Sequence, residues 1–113
     1  MDSTRVKIVV FTPLEATDAV REALGKAGAG QLGEYSFCSY AVVGKGYFLP
    51  SENAEPHIGK PGEFETVTEE RIEVTCDRDK AHAVVDAMKA AHPYEEVAFD
   101  IYPLVELTGK TDI

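Results

Sequence analysis

The chain alternates between two hydrophobic periodicities, and the order of these segments restricts the fold more than any other feature. Strand-like runs, alternating or rich in β-branched residues, occupy four segments: 5–11, 34–50, 64–76 and 97–104. Between them, apolar residues recur at helical spacing in 16–27 and 81–91. The order is β-α-β-β-α-β, which predicts an α+β, ferredoxin-like sandwich. Such a fold has a four-stranded antiparallel sheet with both helices on one face.

The size of the chain fits one domain. With 113 residues we predict a single domain over 1–113, with a structured core from about residue 5 to residue 107. A chain of this length buries about 65% of the surface that its unfolded form exposes, so it needs no disulfide or metal to hold a core.

The charge balance excludes several classes of partner. Twenty acidic against eleven basic residues give a net charge of −9, which repels nucleic acid and anionic membrane surfaces. Two cysteines are too few for a zinc cluster or a disulfide scaffold. No apolar run is long enough to span a membrane, and the N-terminus lacks a signal-peptide pattern. We therefore expect a cytoplasmic protein.

Local signals predict where the elements begin and bend. Thr12 and Glu15 have the spacing of a capping box, and Pro13 suits the first turn of a helix. Glycines at positions 44 and 46 predict a bend or bulge within the second strand. Asp77 can cap the second helix, and Pro93 should end it near residue 92.

The cysteines lie on strands that should pair. A hairpin register joining Leu49 to about Glu63 would bring Cys38 close to Cys76. The two thiols could then bind a soft ion or oxidise, or they could fill the core as small apolar groups, which suits a reducing compartment better.

The face of the sheet away from the helices carries apolar residues. In the first strand, alternation leaves Val9 and Phe11 on this open face. In the last strand, one face carries Val97, Phe99 and Ile101, and the other carries Ala98, Asp100 and Tyr102. Exposed apolar patches are usually covered, so we predict a homo-oligomer. The alternative is a monomer with scattered exposed apolar residues.

The connection between the second and third strands is unusually long. Hairpin loops usually take about 2–5 residues, whereas this connection covers residues 51–62, with the sequence SENAEPHIGKPG. It contains His57 and Lys60. Such a loop on a rigid sheet often binds a ligand or partner, but its prolines and glycines could equally lay it over a neighbouring subunit.

A second group of polar residues lies at the corner HPYEE. His92, Tyr94, Glu95 and Glu96 occupy the step from helix to strand, and imidazole with carboxylate suits divalent ions. No local spacing such as HxH or HExxH accompanies them, and a histidine at a helix C-terminus is also favourable to the helix dipole. The corner therefore predicts either an ion site or a structural turn, and no nucleophile–base pair can be assembled.

Three segments together resemble a known family. GEYSFCSYAVVGKGYFLP, NAEPHIGKPGEFETVTEERIEV and AAHPYEEVAFDIYPL resemble the small domain inserted in the Nif-three-like family of the YqfO type. The HPYE corner is also similar to that of CutA proteins. The resemblance runs from residue 6 to about 107 and implies a CutA/PII-like fold, which is typically trimeric.

The resemblance limits which functions can be carried over. The family builds its dinuclear metal site from flanking domains, which the resemblance does not cover, so its hydrolase activity is the least favoured alternative. PII-like proteins place an effector-responsive loop where 51–62 falls here. The CutA likeness makes His92, Tyr94 and Glu95 the positions to carry over, and implies copper or zinc binding as an alternative function.

Taken together, the sequence predicts a non-enzymatic trimeric module that binds a small ligand, an ion or a partner protein. The predicted ligand-binding residues are His57, Lys60, Tyr94 and Glu96. The predicted metal ligands are His92 and Glu95, and a divalent ion is the one candidate cofactor.

Overall fold

The computed structural model describes residues 4–107 of the chain. The elements are β1 (Arg5–Pro13), α1 (Thr17–Lys26), β2 (Tyr40–Phe48), β3 (Glu65–Asp77), α2 (Ala81–Ala91) and β4 (Phe99–Pro103). Their order is the one that the sequence periodicity predicts. A 3₁₀ turn precedes each α-helix. Neither helix in this part of the chain is long and apolar enough to cross a membrane.

The four strands form one antiparallel sheet in the order β2-β3-β1-β4. This order, with both crossovers carrying a helix, is the ferredoxin-like arrangement. The predicted fold is therefore confirmed. The register pairs Val9 with Glu73 on one side and with Asp100 on the other, which puts these three residues on the same face of the sheet.

The core lies between the helices and the opposite face of the sheet. Its buried members come from β1, β3 and both helices: Val6, Ile8, Val10, Val20, Leu24, Ile72, Val74, Cys76, Val84, Val85 and Met88. The sequence assigns Val6, Ile8 and Val10 to the helix-facing side of β1, and all three are buried here, so this assignment is confirmed.

The helix starts differ from the prediction. β1 continues through Pro13, and α1 begins only at Thr17, after a 3₁₀ turn. Thr12 does not cap the helix. Its hydroxyl forms a buried hydrogen bond of 2.9 Å with the Thr17 hydroxyl. Asp77 does not cap α2 either, because its carboxylate binds the Arg5 guanidinium over 2.8 Å. Both capping predictions are wrong because tertiary partners engage these side chains.

The second strand begins at Tyr40, six residues after the predicted start at 34. The Gly30 N–H donates to the Thr75 carbonyl of β3, and the Gly30 carbonyl accepts from the Cys38 N–H over 2.9 Å. A backbone segment thus lies between Cys38 and β3, where direct pairing was expected. Both cysteines are free thiols, with Cys76 buried in the core and Cys38 partly exposed.

Of the predicted bend or bulge in β2, the bulge is absent, because the pairing with β3 continues without interruption from Tyr40 to Phe48. Gly46 has another role. A Cβ at this position would overlap the Glu69 carboxylate, so the glycine makes room for that side chain on the open face.

The open face of the sheet is partly covered within one chain. Val9 is fully buried there, flanked by an ion-paired row in which Glu73 binds Lys7 over 2.9 Å and Arg71 over 3.2 Å. The Arg71 guanidinium also lies 5.9 Å from the centre of the Phe11 ring. The centre of the predicted apolar patch is therefore screened by charged side chains.

Candidate functional site

A cleft of about 560 Å³ opens beside the far end of β2. It is bounded by the last residues of β2, by the long loop that follows, and by the corner before β4. Most of its wall is apolar, from Phe11, Tyr47, Phe48, Leu49, Pro50, Ala54, Pro56, Ile58 and Ala98. This volume lies within the range of about 300–1,000 Å³ found for small-molecule sites.

His92 fixes the corner that forms one wall of the cleft. It leaves the helical conformation at φ −90°, ψ 136°, as the following proline requires. The Tyr94 N–H donates to Nδ1 over 3.2 Å, so Nε2 carries the proton and donates to the Phe11 carbonyl over 2.7 Å. Burial lowers the pKa of His92, because the charged imidazolium would lose its hydration. His92 is thus a neutral brace between the corner and β1.

Tyr94 packs near both histidines of the site. Its ring centroid lies 4.8 Å from that of His92 and 6.1 Å from that of His57. Its hydroxyl oxygen is buried and has no hydrogen-bond partner among residues 4–107. Burial, reinforced by the negative charges of Glu69 and Glu15, raises the pKa of Tyr94 to about 12. The hydroxyl therefore stays protonated and keeps its hydrogen-bonding capacity unused.

Two polar contacts tie the long loop to the rest of the domain. His57 Nε2 lies 3.6 Å from Glu15 Oε1, an ion pair whenever the imidazole is protonated. Glu95 Oε1 accepts the Glu55 N–H over 3.0 Å. The loop is therefore held over the cleft from both sides, by the turn before α1 and by the corner before β4.

Glu69 is the residue of the cleft that sequence reasoning missed. It projects from β3 over Gly46 and lines the cleft. Burial raises the pKa of its carboxyl group. The signal that could have found it is Gly46 itself, because a glycine inside a strand often marks a close approach by another group.

The structure brings together most of the predicted ligand-binding residues. His57, Tyr94 and Glu96 line the cleft, and Glu95 joins them. Lys60 does not line it; its carbonyl accepts the Glu63 N–H over 3.2 Å at the tip of the loop. His92 lies behind Tyr94, outside the lining. The binding roles of these residues stay predictions.

The predicted metal ligands already have other partners. Both ring nitrogens of His92 are hydrogen-bonded, and one oxygen of Glu95 accepts from the loop backbone. Within the described part of the chain, no group of three or more His, Cys, Asp or Glu residues is arranged to hold an ion. Metal binding by His92 and Glu95 stays a prediction that requires one of these hydrogen bonds to break.

Comparison with known proteins gives a consistent set of relatives. The chain is 51% identical over 105 residues to a GTP cyclohydrolase 1 type 2 homolog of Halalkalibacterium halodurans, covering 93% of this chain and 28% of that protein. The chain thus spans a little over a quarter of the length of that relative. No protein-family model matches the chain.

Two solved structures share the fold. A Bacillus cereus protein related to NIF3 matches with a TM-score of 0.79 and 43% identity, over 92% of this chain and 26% of that one. The periplasmic divalent cation tolerance protein CutA from Archaeoglobus fulgidus matches with a TM-score of 0.68 and 20% identity, over 93% and 88% of the two chains. The resemblance is therefore confirmed: the chain is homologous to a segment of the Nif-three-like proteins, and that segment has a CutA/PII-like fold.

Proposed function

We propose that this chain is a non-enzymatic module that binds a small ligand in the cleft between β2, the long loop and the HPYEE corner. The observation that carries the proposal concerns Tyr94, a residue of the cleft wall: its hydroxyl oxygen is buried and has no hydrogen-bond partner within residues 4–107. Burying a hydroxyl without a hydrogen bond costs about 1–3 kcal/mol. A ligand that supplies the missing hydrogen bond, after a rotation that turns the hydroxyl toward the cleft, would recover part of that cost.

The activity named for the relatives is not part of this proposal. The aligned segment is 28% of the Halalkalibacterium protein, and the chemistry of a whole protein does not follow from such a share. The cleft itself offers hydrogen-bonding groups and apolar walls, which are sufficient for recognition.

We propose further that the chain works as a homo-oligomer, and the CutA/PII-like fold supports a trimer. Within the described residues, the outer strand β2 has no neighbour on one side, and its apolar side chains are exposed: Tyr40 by 68%, Val43 by 64% and Tyr47 by 74%. Phe64, just before β3, is 86% exposed. An open edge with apolar side chains is a liability unless another chain covers it.

The ligand-binding proposal is tested by a fragment screen of the full chain, followed by amide chemical shifts in NMR. Ala98→Trp would fill the cleft from the exposed position just before β4, whereas Ala90→Trp places the same ring on the exposed side of α2. Fragments that shift cleft amides should lose binding in the first variant and keep it in the second. Equal binding to both variants, or no fragment that shifts a cleft amide, contradicts the proposal.

The assembly proposal is tested by sedimentation velocity across a range of concentrations. A trimer that persists at micromolar concentration is the expected result. A stable single chain under those conditions contradicts it.

A further inference from the structure

The cleft has an excess of negative charge. Glu69, Glu95 and Glu96 line it, and against these three carboxylates stands the ammonium of Lys45, which leaves two negative charges with His57 neutral. The surrounding protein has the same sign, with a net charge of −9 over the whole chain. An anionic ligand such as a nucleotide would meet repulsion here, because its phosphates require a local excess of Lys and Arg.

Glu69 is the partly buried carboxylate of the cleft, whereas Glu95 and Glu96 are exposed. No ion pair or hydrogen bond engages it within residues 4–107, and burial raises its pKa. The nearest arginine on its strand is committed elsewhere, because Arg71 binds Glu73 and lies against the Phe11 ring. Glu69 and Tyr94 line the same cleft, so a ligand that fills it meets both side chains.

The remaining walls suit an apolar body attached to a cation. Tyr47 and Phe48 offer aromatic rings, and Leu49 and Ile58 offer aliphatic surface. Aromatic faces attract a nearby cation as well as an apolar group. A volume of about 560 Å³ accommodates a compact organic molecule rather than a bare metal ion.

We infer that the cleft selects an organic cation: an amine or guanidine on an aromatic or branched aliphatic body, with the cationic group held by Glu69 and the Tyr94 hydroxyl. This inference rests on the proposed ligand-binding function and narrows it to one charge class. The ammonium supplies donors to the Glu69 carboxylate and, once the Tyr94 side chain turns toward the cleft, to its hydroxyl oxygen; neither group has a hydrogen-bond partner within residues 4–107.

Three probes of similar shape and different charge test the inference on the full chain: phenethylamine, 2-phenylethanol and 3-phenylpropionate. Calorimetry gives the dissociation constants, and amide shifts for 46–49 and 94–98 report whether each probe enters the cleft. Phenethylamine should bind at least tenfold more tightly than 2-phenylethanol, and 3-phenylpropionate should bind most weakly. Raising the salt concentration should weaken the binding of phenethylamine and reduce the repulsion of 3-phenylpropionate, because salt screens both interactions. The binding of 2-phenylethanol should stay unchanged.

Two variants assign the preference to Glu69. Glu69→Gln should remove the tenfold advantage of phenethylamine and leave 2-phenylethanol unchanged. Glu70→Gln is the matched control, because the neighbouring side chain of β3 projects from the other face of the sheet and does not line the cleft. A control variant that loses the advantage equally contradicts the role of Glu69.

The outcomes separate this inference from the function on which it rests. If the alcohol or the acid shifts the cleft amides and binds as tightly as the amine, the charge selection is refuted while ligand binding in the cleft stands. If none of the three probes shifts these amides, the inference is overturned; the fragment screen then decides the ligand-binding proposal by itself.

Discussion

Replacing Tyr94 by phenylalanine should make the protein more stable. The substitution keeps the ring that packs near His92 and His57, with centroids 4.8 and 6.1 Å away, and removes only the buried hydroxyl. A buried polar group without a partner costs about 1–3 kcal/mol. Because the rest of the Tyr94 side chain is only partly buried, we expect a gain at the low end, about 1 kcal/mol.

The gain should appear in both chemical and thermal unfolding. For a domain near 100 residues, about 1 kcal/mol corresponds to a rise in Tm of about 4 °C. Urea titrations should give a higher midpoint with an unchanged slope, since the variant exposes the same surface on unfolding. Tyr47→Phe is the control: Tyr47 is 74% exposed, so water solvates its hydroxyl and stability should stay within about 0.5 kcal/mol.

The same variant should lose affinity for the ligand that the cleft binds. Stability gained together with binding lost is the expected signature of a residue kept for function at a cost in stability. A Tyr94→Phe protein that unfolds at lower urea than the wild type would refute the reasoning, because it would show that the hydroxyl is stabilised by a partner in the folded state.

Three further predictions concern the frame around the site. The pKa of His92 in the folded protein lies below the ordinary 6.5, so the unfolded chain binds more protons than the folded one just below that pH. The free energy of unfolding should therefore fall as the pH drops from about 6.5 to the folded pKa, by at most about 1.4 kcal/mol per pH unit. Urea midpoints at several pH values should lose this component in His92→Gln and keep it in His82→Gln, whose side chain is exposed. Gly30→Ala should cost more than 2 kcal/mol in thermal unfolding, because φ is +85° and the new Cβ would lie 2.6 Å from a backbone oxygen. Gly33→Ala is the control: its φ is +57° in open space, so it should cost about 1 kcal/mol. Leu24→Ala should cost about 2–5 kcal/mol by calorimetry, since Leu24 is 1% exposed, and a smaller loss would contradict its place in the core.

Periodicity predicted the fold because hydrophobic burial acts on regular elements. The alternation in β1 and the stripe in α2 each match one buried face, and two such helices between four strands leave few ways to form a core. The end of α2 was equally readable, because the ring of Pro93 disfavours a helical conformation at His92 whatever surrounds it.

Element boundaries were less readable because side chains have competing partners. Thr12 has the identity of a helix cap, yet its hydroxyl bonds Thr17. Residues 34–38 have strand-like composition, yet the Gly30 backbone takes the position beside β3. Local propensity amounts to less than about 1 kcal/mol per residue, so such tertiary contacts override it.

The candidate site shows the same division. The sequence by itself determined that His57, Tyr94 and Glu96 are polar residues at a loop and a corner, and the alternating pattern determined the sheet that carries them. Only the tertiary structure decided that the loop folds back to this corner and that Glu69 reaches across Gly46 into the cleft. It also decided that the Tyr94 hydroxyl is buried with no partner in the described part of the chain. The physical reason is that periodicity reports which face of an element is buried, whereas charge pairing and desolvation depend on which atoms from distant segments meet.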